Sequence, residues 1–126
     1  MGAELDVLLY VAAAMIGVWG VAHLFATRGV VTGFGELSAD NRRIITMEWI
    51  VEGVALLALG ALVAAVTIAG SGGAAASAAY AVAIATLLAL AVVSLATGFR
   101  VAFLPFRLCP LIFASSAVLI GIGAWL

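Results

Sequence analysis

From Gly53 to Phe99 the chain contains no Asp, Glu, Lys, Arg or His. No other feature constrains the fold as strongly. A crossing of the hydrocarbon core takes roughly 20 helical residues, so this stretch holds two crossings if the chain can reverse. The tight, flexible "GSGG" at 70–73 supplies the turn. With 126 residues, 67% of them hydrophobic and 9% charged, no soluble interior is large enough to hide so much apolar surface. The expected solvent is therefore lipid, and the length predicts one domain.

Four spans fit, at about 5–27, 44–69, 74–99 and 108–126. Pro110 leaves the last apolar run short, so "RVAFLPFRLCP" is expected to add a kinked or interfacial turn ahead of it. Lipid offers a backbone no hydrogen-bond partners, and no barrel-like alternation is present, so the spans must be helical. The predicted fold is an all-α integral membrane four-helix bundle with an up-down-up-down path.

Charge then orients it. Arg28, Arg42 and Arg43 fall around the first connection and Arg100 and Arg107 around the third, whereas the "GSGG" connection is uncharged. Arginine-bearing connections face the cytoplasm. Segments 28–43 and 100–107 are accordingly expected on the cytoplasmic side of the cell membrane, with both termini outside.

Several classes drop out. Lysine is absent and the net charge is −1, which gives no basic footprint for nucleic acid. A lone Cys109 forms neither an internal disulfide nor a paired metal knuckle. Glu4 and Asp6 precede the first apolar run where a secretory leader carries basic residues, so that run is expected to be a permanent span. "MGAELD" also lacks the hydroxyl residue of a myristoylation site. Around the first connection, Ser38 and Asp40 suit helix capping and "GFGE" a turn. It has neither the lysine nor the spacing of a phosphate loop.

The chemistry, if any, lies near the cytoplasmic end. Glu48 and Glu52 are four residues apart and share a helical face. If their span starts near Ile44, they sit roughly 6 Å and 12 Å along it. His23, five residues before Arg28, reaches a similar depth of roughly 7.5 Å from the other direction. A carboxylate this deep costs several kcal/mol unless it is neutral, hydrated or paired, so Glu52 is the central candidate. An imidazole exchanges protons near neutral pH, which would suit a relay between His23 and Glu52. Arg100 or Arg107 could neutralise Glu52 or hold a lipid phosphate. Trp19, one turn from His23, and the hydroxyls of Ser94 and Thr97 are candidate pocket lining.

Structural alternatives stand beside each of these. Glu48 could complement the positive end of its helix dipole, and Glu52 could form a buried pair with an arginine. His23 could be a hydrogen-bonded interior imidazole, Arg107 could snorkel to the interface, and the hydroxyls could be packing surface. Cys109 could be a lowered-pKa thiol or an acylation site. Trp49 and Trp125 are read as interfacial anchors. His23, Glu48 and Glu52 are acceptable ligand types, but without HExxH or ExxH spacing no metal is predicted.

Four short spans, a His near the end of the first in "GVWGVAHLF" and a proline-bearing segment before the last resemble DoxX-like small membrane proteins. "DNRRIITMEWIVEG" is similar in look to uncharacterised bacterial four-span proteins. That resemblance implies redox accessory roles or the handling of sterols or lipids, with no cofactor specified.

The leading expectation is an acidic, His-containing pocket in the cytoplasmic leaflet that binds or transports a small polar or amphiphilic ligand, with proton coupling available. The alternatives are a membrane enzyme or redox accessory acting on a lipid or quinone, and a structural accessory subunit. Transport by so small a bundle would call for a homo-oligomer, which the glycines at 53 and 60 permit.

Overall fold

The computed structural model describes residues 2–126 and contains four helices: α1 (Gly2–Gly33), α2 (Ala39–Gly70), α3 (Ala74–Thr97) and α4 (Leu104–Trp125). All four are long and apolar enough to cross a membrane, which makes the chain an all-helical, multi-pass type. Their outward faces carry large apolar side chains, with Phe25 86% and Ile68 74% exposed. In water such a surface would aggregate; against lipid tails it is the favourable one.

The helices run beyond the apolar stretches that define them. α1 continues past Thr27 through Arg28 to Gly33, and α2 starts at Ala39, so the first connection is only 34–38. Ser38 caps α2 by accepting from the Asn41 N–H at 3.1 Å, and Asp40 pairs with Arg43 at 3.3 Å within the first turn. Gly35 turns the chain at φ +74°, a region that excludes most side chains. α4 also starts early. Pro105 occupies its first turn, where a missing N–H costs nothing, so the proline-bearing segment becomes helix. Pro110 lies inside α4 and withholds the helical bond from the Phe106 carbonyl.

Buried residues recur at helical spacing and form one core. Leu9, Ile16, Leu56, Tyr80, Leu87, Phe113 and Ile120 are fully enclosed. α1 packs along α2 and along α4, and α3 along α4, whereas α2 and α3 touch sparingly. Small residues set the closest approach. A Cβ on Gly20 would stand 2.8 Å from the Gly53 carbonyl oxygen, and one on Gly60 would stand 2.8 Å from the Ala13 carbonyl oxygen. At the other contact of α1, a Cβ on Gly123 would lie 2.9 Å from the Leu5 carbonyl oxygen. Glycine is required at these places for room.

Two polar ties hold the same end as Gly123. Ser71 Oγ donates to Asp6 Oδ1 at 2.7 Å, fastening the end of α2 to the start of α1. Thr67 and Tyr80 share a buried hydroxyl–hydroxyl bond of 3.0 Å between α2 and α3.

Candidate functional site

The glycine seam between α1 and α2 decides what lies one turn away. Gly20 against Gly53 brings the backbones together, and His23 and Glu52, on the same flanks, meet across the gap. His23 Nε2 lies 3.4 Å from Glu52 Oε1, with the His side chain 5% exposed and the Glu side chain 39%.

The imidazole is held on every side. Its Nδ1 lies 3.1 Å from the Trp19 carbonyl oxygen, one turn back on α1. A carbonyl only accepts, so the Nδ1 proton belongs in that contact. The Trp49 ring stacks on the imidazole at 4.8 Å and 22°, and the Trp49 indole N–H donates 2.7 Å to the His23 carbonyl oxygen. Thr27 Oγ1 donates to the same carbonyl at 2.9 Å.

With Nδ1 protonated, a neutral His23 presents the lone pair of Nε2 to Glu52. An ionised carboxylate would face it with lone pairs of its own. One further proton on the pair, on Nε2 or on the carboxyl group, would turn the contact into a hydrogen bond across the seam. Among the described residues no arginine pairs with Glu52.

Arg107 Nε donates to the Val101 carbonyl oxygen at 3.1 Å, and Arg100 is exposed without a carboxylate partner among the described residues. Glu48 is exposed too. Sharing a face with Glu52 does not bring it to His23, because it sits a full turn further from the seam.

The pair opens onto a cavity of about 580 Å³ where the end of α1, the first half of α2, the end of α3 and the start of α4 meet. That volume falls in the range of small-molecule sites. Phe34, Trp49, Phe103 and Phe106 form much of its wall, with Gly29, Gly33 and Gly98 leaving room. Ser94 and Thr97 line it, though each hydroxyl donates to the carbonyl four residues back, at 2.6 Å and 2.7 Å. Cys109 lines it as well, with its thiol 3.4 Å from the Pro105 carbonyl oxygen. A smaller cavity of about 320 Å³ adjoins Glu48, Trp49 and Glu52. Glu52 thus borders both.

Trp19 does not line the cavity. It packs against the core and meets His23 edge-on at 6.0 Å. Its indole N–H is buried without a hydrogen-bond partner among the described residues. Its contribution to His23 is the carbonyl. Trp49, by contrast, faces the bundle and is the residue that sequence reasoning undervalued. Its position three residues before Glu52 puts it on the same face, which was a usable signal. The aromatic wall of Phe34, Phe103 and Phe106 comes from the two connections and the first turn of α4, and left no periodic trace.

Among the described residues no group of His, Cys, Asp and Glu is arranged to hold a metal ion. No family model matches the chain, and neither a curated protein nor a solved structure is significantly similar to it.

Proposed function

We propose that this chain is an integral membrane binding protein that takes a small amphiphilic molecule into the 580 Å³ cavity. The observation that carries the reading is a predominantly apolar, aromatic-walled space that closes on one polar pair, His23 and Glu52. An apolar body would lie along Phe34, Phe103 and Phe106 while a polar head meets Glu52, which is the distribution such sites use for affinity and orientation. Membrane interiors tolerate ionisable groups chiefly where they serve a ligand or proton path.

An up-down-up-down path belongs to this reading. It is supported by the register of the seam, where Gly20 meets Gly53 and Gly60 meets Ala13, and by Gly33 and Val101 bordering one cavity. All five arginines are exposed near that end, which favours a cytoplasmic mouth with segments 28–43 and 100–107 inside the cell membrane. Moving a ligand through, as opposed to holding it, would call for a homo-oligomer.

A second reading makes the pair an acid and base acting on a lipid or quinone. The 3.4 Å separation of His23 and Glu52 favours it, being close to the reach that general acid–base work needs.

Native mass spectrometry of the protein in mild detergent tests the binding reading. Wild type is expected to retain a co-purified small molecule, and Ser94→Trp, which fills the cavity from the α3 side, is expected to lose it. Retention that is indifferent to Ser94→Trp would sink the assignment of this cavity. Turnover of a bound lipid or quinone, absent in Glu52→Gln, would favour the second reading.

A further inference from the structure

We propose that the occupant of this cavity is a lipophilic organic cation, and that it enters in exchange for the proton held between His23 and Glu52. The proposal rests on the binding reading above and adds the ligand's charge. Its first support is the sign of the lining. Among the cavity residues the ionisable ones are His23, Glu52 and Cys109, and no arginine borders either cavity. An anionic head such as a phosphate would meet a carboxylate and no counter-charge.

The second support is the wall. Phe34, Trp49, Phe103 and Phe106 line the space, and ring faces attract cations within about 6 Å of their centres. Phe34 and Phe103 are each more than half exposed, at 55% and 51%, with Phe103 meeting Phe106 edge-on at 5.9 Å. Aromatic faces beside one carboxylate are the usual chemistry for a quaternary or bulky onium group.

The third support is the proton count. With Nδ1 committed to the Trp19 carbonyl, one extra proton shared between His23 and Glu52 makes their contact a hydrogen bond. A cation beside Glu52 takes over that proton's role. The charge then balances: carboxylate and imidazolium before, carboxylate and bound cation after, with His23 left neutral on its Nδ1 tautomer and the proton released to solvent. The bound cation's charge then offsets the repulsion between the Nε2 lone pair and the carboxylate.

Other charged or titratable groups stand on every surrounding element. They are Arg28 on α1, Glu36 in the first connection, Asp40, Arg42, Arg43 and Glu48 on α2, Arg100 after α3, and Arg107 and Cys109 on α4. All but Cys109 are exposed, and of the nine only Cys109 lines the same cavity as the pair. The exchange is therefore expected to depend on His23 and Glu52.

The test uses the full chain in neutral detergent micelles, with tetraphenylphosphonium and tetraphenylborate as probes of similar shape and opposite charge. Titration calorimetry in buffers of different ionisation enthalpy should show about one proton released per phosphonium bound. Affinity should rise with pH by as much as about tenfold per unit, the slope that one linked proton requires. Tetraphenylborate should bind no better than it does to empty micelles, and Glu52→Gln should abolish the phosphonium signal.

Phosphonium binding with no proton release would overturn the exchange. Equal binding of the two ions would overturn the charge assignment while leaving the pocket intact. If neither ion binds and native mass spectrometry finds a neutral molecule lost in Ser94→Trp, the ligand class is wrong and the binding reading survives. If no molecule of any kind is held, both fail.

Discussion

Gly20→Ala is the sharpest perturbation of the packing that builds the site. The new Cβ would lie 2.8 Å from the Gly53 carbonyl oxygen, 2.9 Å from the Leu57 nitrogen and 3.1 Å from the Leu56 Cβ. Two of these are backbone atoms on a facing helix and cannot swing aside. Ordinary contact begins near 3.4 Å, so α1 and α2 must part locally by roughly half an ångström, enough to forfeit a good part of the dispersion along the seam.

Overpacking of this kind costs about 1–3 kcal/mol. Alanine's better helix propensity returns about 0.5–1 kcal/mol. The expected result is a net loss of up to about 2.5 kcal/mol, read by titrating SDS into protein in neutral detergent and following helicity. Gly17→Ala is the control on the same helix, because a Cβ there meets nothing within 4 Å. It should stabilise by about 0.5–1 kcal/mol. The parting also stretches the 2.7 Å bond from Trp49 to the His23 carbonyl one turn away, so Gly20→Ala should weaken ligand retention as well. If Gly20→Ala matched or exceeded wild-type stability, the helices would not be at this separation and the site geometry drawn from it would fall.

Two further outcomes follow from the same contacts. Trp49→Phe keeps the stack on His23 and drops the indole bond, while the His23 carbonyl keeps its Thr27 donor; the SDS titration should shift down by about 0.5–1.5 kcal/mol. Trp49→Leu, which loses the stack too, should cost about 0.5–1.5 kcal/mol more. Ser116 Oγ is fully buried with no hydrogen-bond partner, so Ser116→Ala should be neutral or stabilise by about 1 kcal/mol, since it removes an unsatisfied group and opens little space. A clear loss in the same titration would mean that the hydroxyl has a partner.

The helical architecture was legible because lipid reduces folding to a question of length and charge. The uncharged run from Gly53 to Phe99 and the "GSGG" turn left little choice about α2 and α3. Helix ends were less legible. Arg28 and Arg107 look like connection residues by charge, yet a helix continues through polar positions as long as its backbone bonds are met. The meeting of His23 and Glu52 could be placed in depth but not in azimuth, and azimuth is set by which glycines face each other across the seam. Arg107 shows the converse. Charge alone suggests a partner for Glu52, but the Val101 carbonyl, six residues earlier in its own segment, satisfies it first. Trp49 was hidden by habit, since a tryptophan near a helix start in an apolar chain ordinarily marks the interface.

The two ends of the bundle spend their side chains differently, and that difference locates the cavity. On α3 the buried stripe runs Ala76, Tyr80, Ala83, Leu87 and then stops; on α2 it begins at Gly53 and runs through Leu56, Gly60, Val63 to Thr67. Beyond Leu87 only the half-buried Leu90 and Ala91 of α3 still pack against the core, and before Gly53 α2 adds no core side chain. α2 and α3 touch sparingly in any case, and at the arginine end Phe34 and Phe103 of the two connections, with Trp49 and Phe106, wall the space between them. At the far end Thr67 with Tyr80 and Ser71 with Asp6 tie the helices together. A bundle built for stability alone would continue its core stripe to both ends, because helix association in lipid draws on close van der Waals packing. Here the stripe gives way to three glycines, Gly29, Gly33 and Gly98, around a buried histidine and its carboxylate. Packing forgone around a costly polar pair is the pattern of a site.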